Sequence, residues 1–149
     1  MKFLITLVAA TSLAARLALA QPAPGNPAGL WNTVDDKTGE VRGAVRIFES
    51  NGVAYGRIER LFDPKDIGQR CVKCSDDRHD KPILGLEVIR GVRADGPSYW
   101  SGGEILDPET GDTYRVSLRL EDRGQKLVVR GSILGGMIGR SQTWVRATP

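Results

Sequence analysis

The clearest alternation in the chain runs from Thr113 to Glu121. Tyr114, Val116, Leu118 and Leu120 interleave with Thr113, Arg115, Ser117, Arg119 and Glu121. A strict period of two puts the first set on one face of a strand and the second on the other. Leu127, Val129 and Ile133 repeat the pattern against Lys126, Arg130 and Ser132. Turn chemistry divides the rest. Asp35–Gly39, Asn51-Gly52, Ala94–Pro97, Asp107–Asp112, Asp122–Gly124 and the apolar link Leu134–Gly139 separate strands predicted at Gly29–Val34, Val41–Glu49, Val53–Phe62, Ile83–Val92, Tyr99–Leu106, Thr113–Glu121, Lys126–Ile133 and Arg140–Arg146. Asn-Gly readily takes the positive φ angles of a two-residue hairpin, and Pro108 with Gly111 supplies a preset φ and a left-handed position. One long loop is left, Asp63–Pro82.

Short links between one-face-apolar strands fit an antiparallel meander, because parallel strands need long crossover connections. The expected fold is therefore all-β: an eight-stranded antiparallel up-and-down barrel, with a two-sheet sandwich as the alternative. Eight strands enclose an interior that side chains can fill or that one small ligand can share. Gly43, Gly56, Gly85, Gly102, Gly103 and Gly131 fall inside predicted strands, where tight coiling and bulges favour glycine. Closure suggests a structural clamp of Trp31 on the first strand with Arg140 or Arg146 on the last. The indole would plug one end while a guanidinium stacks over it and bonds nearby carbonyls. Trp144 shares strand parity with both arginines, so the three cannot all be apolar core.

The start of the chain reads differently. Met1-Lys2 is basic, Phe3–Ala15 is apolar and Ala18-Leu19-Ala20 is a small-x-small cleavage pattern. This is the signature of a signal peptide cut after Ala20, which predicts a periplasmic or secreted protein. The segment is too short, and too soon interrupted by Arg16, for a typical membrane span, and no later stretch is long and apolar enough. Residues 21–28 form a proline-rich leader expected to be a flexible tether, and 29–149 a single barrel domain. Without Lys2 and Arg16 the formal charge falls from +3 to +1. Positive and negative side chains are interspersed rather than striped, which argues against nucleic acid as a partner.

In order along the chain, Gly29-Leu30-Trp31, Asp35-Asp36-Lys37-Thr38-Gly39, Tyr55-Gly56-Arg57-Ile58, Cys71-Val72-Lys73-Cys74, Pro82-Ile83-Leu84-Gly85-Leu86 and Gly102–Gly111 resemble the bacterial secreted family known as domain of unknown function 2147. Tyr114, Leu127, Arg130-Gly131, Leu134-Gly135 and Gly139–Trp144 extend the resemblance over essentially the whole chain after the leader. It implies a lipocalin-like periplasmic barrel with a small-molecule cavity. It implies no reaction, and carries over no catalytic residue.

Cys71-Val72-Lys73-Cys74 is the most chemical-looking motif. In an oxidising compartment a local disulfide is the default. A redox pair shares the C-x-x-C spacing, but lacks here the helix N-terminus that lowers a thiol pKa. Zinc would need His79 and one of Asp76, Asp77 or Asp80 to complete four ligands. His79 is the only histidine, which restricts acid–base chemistry near neutral pH. No nucleophile elbow, metalloprotease helix, phosphate loop or dinucleotide fingerprint is present, so no catalytic residue, resident metal or cofactor is expected.

The ligand-binding candidates come from strands whose faces are mixed. Tyr55, Arg57 and Glu59 share one face of the third predicted strand. Turned inward with Trp100, Glu104 and Tyr114, they would give a polar lumen that orients a ligand's polar group; turned outward, they are solvated and Ile58 faces the core. The function read from the sequence is non-enzymatic binding of a small, largely apolar or amphipathic molecule in the barrel. The alternatives are an envelope structural or protein-interaction module with a filled barrel, and a redox or metal-dependent protein using the Cys71/Cys74 loop.

Overall fold

The computed structural model describes residues 25–148; the expected signal peptide and the start of the leader lie outside them. Eight strands form one closed barrel in sequence order, each antiparallel to its neighbours: β1 (Gly29–Val34), β2 (Val41–Ser50), β3 (Val53–Leu61), β4 (Glu87–Ala94), β5 (Tyr99–Leu106), β6 (Thr113–Glu121), β7 (Lys126–Ile133) and β8 (Ile138–Arg146). Register partners fix the inward face. Trp31 pairs with Val45, Ile47 with Gly56, Gly56 with Ile89, Trp100 with Leu118, Leu118 with Val129 and Leu127 with Trp144. These residues are buried together in one core. A Cβ on Gly56 would lie 3.0 Å from the Ile89 side chain and 3.2 Å from that of Val45. The glycine is thus what lets those side chains fill the interior.

The fourth strand begins at Glu87 rather than at Ile83. Gly85 takes φ +87°, which breaks regular pairing even though Gly85 N donates to Ile58 O and Leu86 O accepts from Ile58 N. Alternation over Ile83–Leu86 belongs to a segment that lies beside β3 without joining the ladder. The last strand starts two residues early, because Ile133 and Ile138 pair across the β7–β8 turn.

The long loop leaves β3 at the barrel end opposite Trp31. Between Arg70 and Pro82, which form an isolated bridge, the chain makes an excursion that packs on the outer wall. Val88 and Leu106 alternate with inward-facing Ile89 and Ile105, yet each is only 4% exposed. Buried Cys71 and Cys74 belong to the same apolar cluster. A Cβ on Gly111 would collide with the Lys73 carbonyl, so the excursion presses directly on the β5–β6 turn.

Ladder length varies around the barrel. β7 and β8 share eight register pairs, whereas β1 and β8 share two, Trp31–Arg146 and Asn32–Val145. This short seam is where the sheet closes.

Candidate functional site

Each end of the seam is tied by an arginine of β8, but only one of them meets Trp31. The Arg146 guanidinium carbon lies 4.2 Å from the Trp31 ring centroid. Its nitrogens donate to Gly124 O at 2.8 Å, Ala28 O at 2.9 Å and Asn26 O at 3.4 Å, and burial pulls its pKa below the usual arginine range. Trp31 Nε1 donates to Pro27 O at 2.8 Å. Gly29 adopts φ +135°, and a Cβ there would sit 2.5 Å from Arg146 Nη1; a glycine two residues before the tryptophan makes room for the guanidinium. The leader is therefore fixed from Asn26 onward, since its carbonyls are the acceptors this end requires. Arg140 is placed elsewhere. Its Nε and Nη2 donate to Asp36 at 2.8 and 2.7 Å, tying β8 to the β1–β2 turn at the opposite end. The parity conflict of the last strand resolves along its length: Trp144 is buried in mid-barrel, and the two arginines sit where the same face leaves the core.

The six ligand-binding candidates do not converge. Tyr55, Arg57 and Glu59 face outward, because Gly56 and Ile58 take the inward positions of β3. The Tyr55 ring stacks on Phe48 at 5.7 Å and Arg57 lies over the same ring at 5.5 Å. Glu59 is ion-paired with Arg46, whose Nη2 donates at 2.9 Å, and this holds the Glu59 carboxyl below its usual range. Arg57 and Glu59, with Arg46, Phe48, Ile58 and Leu84, border a notch of about 280 Å³ on the outer wall. Trp100 is core, paired with Leu118 near the Trp31 end. Glu104 points outward and accepts from Arg78 at 3.0 Å. Glu104 and Tyr114 both border an open groove of about 480 Å³ beside Arg90 and Arg115. Tyr114 alone among the six is an inward-facing residue near the loop end.

The excursion holds a group that sequence reasoning passed over. Arg78 is 1% exposed, the one buried charged side chain among the described residues. It donates to Asp76 at 2.6 Å, to Glu104 at 3.0 Å and to Glu87 O at 3.1 Å. Beside it, Arg90 forks onto both oxygens of Asp77 at 2.8 and 2.9 Å and reaches Glu87 at 2.7 Å. These contacts hold the Asp76 and Asp77 carboxyls below the usual range, through the Arg78 and Arg90 hydrogen bonds respectively. Nothing in the local sequence distinguishes Arg78, since two of its acceptors lie on later strands, nine and 26 residues downstream.

Cys71 and Cys74 are joined as a disulfide. That leaves no thiolate for zinc, and His79 Nδ1 instead lies 2.6 Å from Cys74 O. The zinc reading would need both sulfurs as thiolates and His79 turned with them toward one ion. The excursion is a structural buttress of β4 and β5, held by one disulfide and one buried arginine.

Inside the barrel, exposure changes along the axis. At the Trp31 end and mid-barrel the inward residues are buried: Trp31, Ile47, Ile89, Val116, Leu118, Leu127, Val129 and Trp144. One rung toward the loop end, inward-facing Thr33, Leu61, Ile105, Tyr114, Gly131 and Gln142 are half-buried. Together they form a half-exposed inward rim above a packed floor, termed the cup below. Trp144 Nε1 donates to Gln142 Oε1 at 3.1 Å, which turns the amide acceptor toward the floor. A Cβ on Gly131 would find Ile105 and Tyr114 at an ordinary 3.5 Å. Parity with Val116, Val129 and Trp144 marks Tyr114, Gly131 and Gln142 as inward, but Leu61 and Ile105 reach this face only through the register shifts of β2–β3 and β5–β6.

The closed meander, sealed by tryptophan and arginine at one end and with half-exposed inward residues at the other, defines a lipocalin-like barrel. The chain belongs to the bacterial family described as "Uncharacterized protein conserved in bacteria (DUF2147)", whose pattern matches residues 29–146. Among solved structures it is similar to protein HP1028 from Helicobacter pylori, described as belonging to the lipocalin family. That likeness is one of fold: TM-score 0.72, 20% identity, covering 83% of this chain and 84% of the other. Comparison with curated proteins finds no match.

Proposed function

We propose that this is a secreted or periplasmic protein that binds a small, largely apolar molecule at the loop end of its barrel. The observation that carries the reading is the partial exposure of Thr33, Leu61, Ile105, Tyr114, Gly131 and Gln142 above the buried floor. Apolar walls with a few polar groups are what small-molecule sites use: contact area supplies affinity and the polar groups fix orientation. Tyr114 and Gln142 are the polar groups of this cup. The placement is shallower than a lumen-wide cavity, and it replaces the set built on Tyr55, Arg57 and Glu59, which the register turns outward. The Cys71–Cys74 disulfide agrees with an oxidising compartment, as does the apolar run at Phe3–Ala15.

Titration with the apolar fluorophore N-phenyl-1-naphthylamine tests this directly. Saturable binding is expected, weakened about tenfold or more by Gly131→Leu, whose side chain would fill the cup. Equal binding by the variant, at an unchanged melting temperature, would sink the proposed site. A second reading, an envelope interaction module with a filled barrel, draws support from the large side chains packed from Trp31 to Trp144. Absence of binding to apolar probes in the native protein would favour it.

A further inference from the structure

The β7–β8 turn presents apolar side chains to solvent in a way no other turn of the barrel does. Ile133, Leu134, Met137 and Ile138 are 43%, 68%, 85% and 57% exposed. An exposed apolar cluster of this kind marks an interaction surface. Leu134, Gly135 and Gly136 all take positive φ, and the tight turn holds Leu134 and Met137 outward on either side of the two glycines.

The two strands that carry this tip, and the chain beyond them, bear charges of one sign. From Arg123 to Pro149 the chain contains Arg123, Lys126, Arg130, Arg140 and Arg146 and no acidic residue. The outward positions of β6, β7 and β8 carry Arg115, Arg119, Lys126 and Arg130, and the one acid among them, Glu121, is paired with Arg119 at the far end. Arg130 lies over Gly139 and donates to Gly136 O at 3.3 Å, so its guanidinium is held at the tip itself. Neither Arg115 nor Arg130 has a carboxylate partner among the described residues, and Arg140, on the other side of the tip, neutralises Asp36. The acidic β5–β6 turn, with Asp107, Glu109 and Asp112, borders the cationic wall beyond Arg115. It confines any contact to the β6–β8 side.

We propose that the β7–β8 tip docks on an anionic lipid surface, with Leu134 and Met137 entering the interface and Arg115 and Arg130 at headgroup level. Apolar side chains beside unpaired cations are the combination that binds such surfaces, the first by area and the second by attraction to anionic headgroups. The tip adjoins the cup through Gly131 and Ile133, so docking would bring the mouth of the barrel to the lipid. The proposal stands on exposure and charge, and does not require that the cup bind a ligand.

The test uses the full chain with Met137→Cys carrying an environment-sensitive fluorophore; both native cysteines are in the disulfide, so the label reports on the tip alone. Vesicles of phosphatidylethanolamine and phosphatidylglycerol are expected to shift its emission to the blue, and phosphatidylcholine vesicles to do so far less. Removing Arg115 and Arg130 together should weaken the response to anionic vesicles by roughly 25-fold, about fivefold per arginine, and raised salt should reproduce much of that loss. In unlabelled protein, Leu134→Ser with Met137→Ser should lower tip-dependent binding at an unchanged melting temperature. No emission shift with anionic vesicles, or a salt-independent shift of equal size with both compositions, would overturn the proposal. Gly131→Leu separates the two readings: it should weaken capture of the apolar fluorophore about tenfold or more while leaving vesicle docking intact.

Discussion

Arg146 and Trp31 are register partners across the seam of the barrel, and the guanidinium carbon of one lies 4.2 Å from the ring centroid of the other. The contact joins the first strand to the last, while three backbone carbonyls from two other segments complete the guanidinium's hydrogen bonds. Its other role is to anchor the leader, because two of those carbonyls, Asn26 and Ala28, precede β1. Arg146→Ala is expected to cost about 2–4 kcal/mol in urea unfolding, from the stacking and the orphaned acceptors together. Lysine at 146 should recover less than half of that, since it lacks the planar fork.

Arg140 shares strand parity with Arg146, yet it makes an exposed ion pair with Asp36. Arg140→Ala should therefore cost less than about 1 kcal/mol. The contrast between the two variants, measured under identical conditions, checks that only one arginine closes the barrel.

Packing inside the barrel predicts a second contrast. Gly56→Ala would force Ile89 and Val45 apart and should destabilise the fold by about 1–3 kcal/mol. Gly131→Ala, with ordinary contacts at 3.5 Å, should change the unfolding midpoint little. Equal losses would mean that the interior is uniformly packed and that no cup exists.

Arg78→Ala would leave Asp76, Glu104 and the Glu87 carbonyl without their buried donor. A loss of about 1–3 kcal/mol is expected, because the Glu87 carbonyl loses its donor while the half-exposed Asp76 and Glu104 carboxylates are partly rehydrated. Hydrogen exchange should accelerate first between Gln69 and Ile83, because this guanidinium is what binds the excursion to β4 and β5.

The same network sets a pH dependence. Asp76 and Asp77 are held below the usual carboxylate range by Arg78 and Arg90. Groups with depressed pKa stabilise the fold fully above their unfolded value, about 3.9, and lose that contribution as the pH falls through the folded one. Amide protection in the excursion should therefore be constant from pH 7 to about 5 and decline below about pH 4, ahead of the barrel strands.

Reduction of Cys71–Cys74, or its replacement by serines, should cost about 2 kcal/mol, because so short a loop constrains the unfolded chain only slightly. The far-ultraviolet circular dichroism of the barrel should persist while protection of the excursion falls.

Much of the fold was legible because strands and turns are local. Alternation from Thr113 to Ile133 and the glycine- or proline-bearing turns placed β1, β5, β6 and β7 at their observed limits. The limits of β4 were not legible, since Gly85 permits a left-handed φ without announcing it. The candidate site was less accessible still. Tyr55, Arg57 and Glu59 share a face by parity, but parity does not say which face is inward when both are mixed.

What the sequence by itself determined is the number of strands, their antiparallel order and the alternation within each, all properties of residues a few positions apart. Tertiary structure decided the rest. Closing the sheet chose the inward face of β3, because only Gly56 and Ile58 fit beside Ile89 and Val45. It also divided the arginines of β8 between opposite ends, and brought Arg78 to acceptors on β4 and β5 that no local pattern connects. Burial and pairing depend on neighbours distant in the chain, and those neighbours exist only once the barrel has closed.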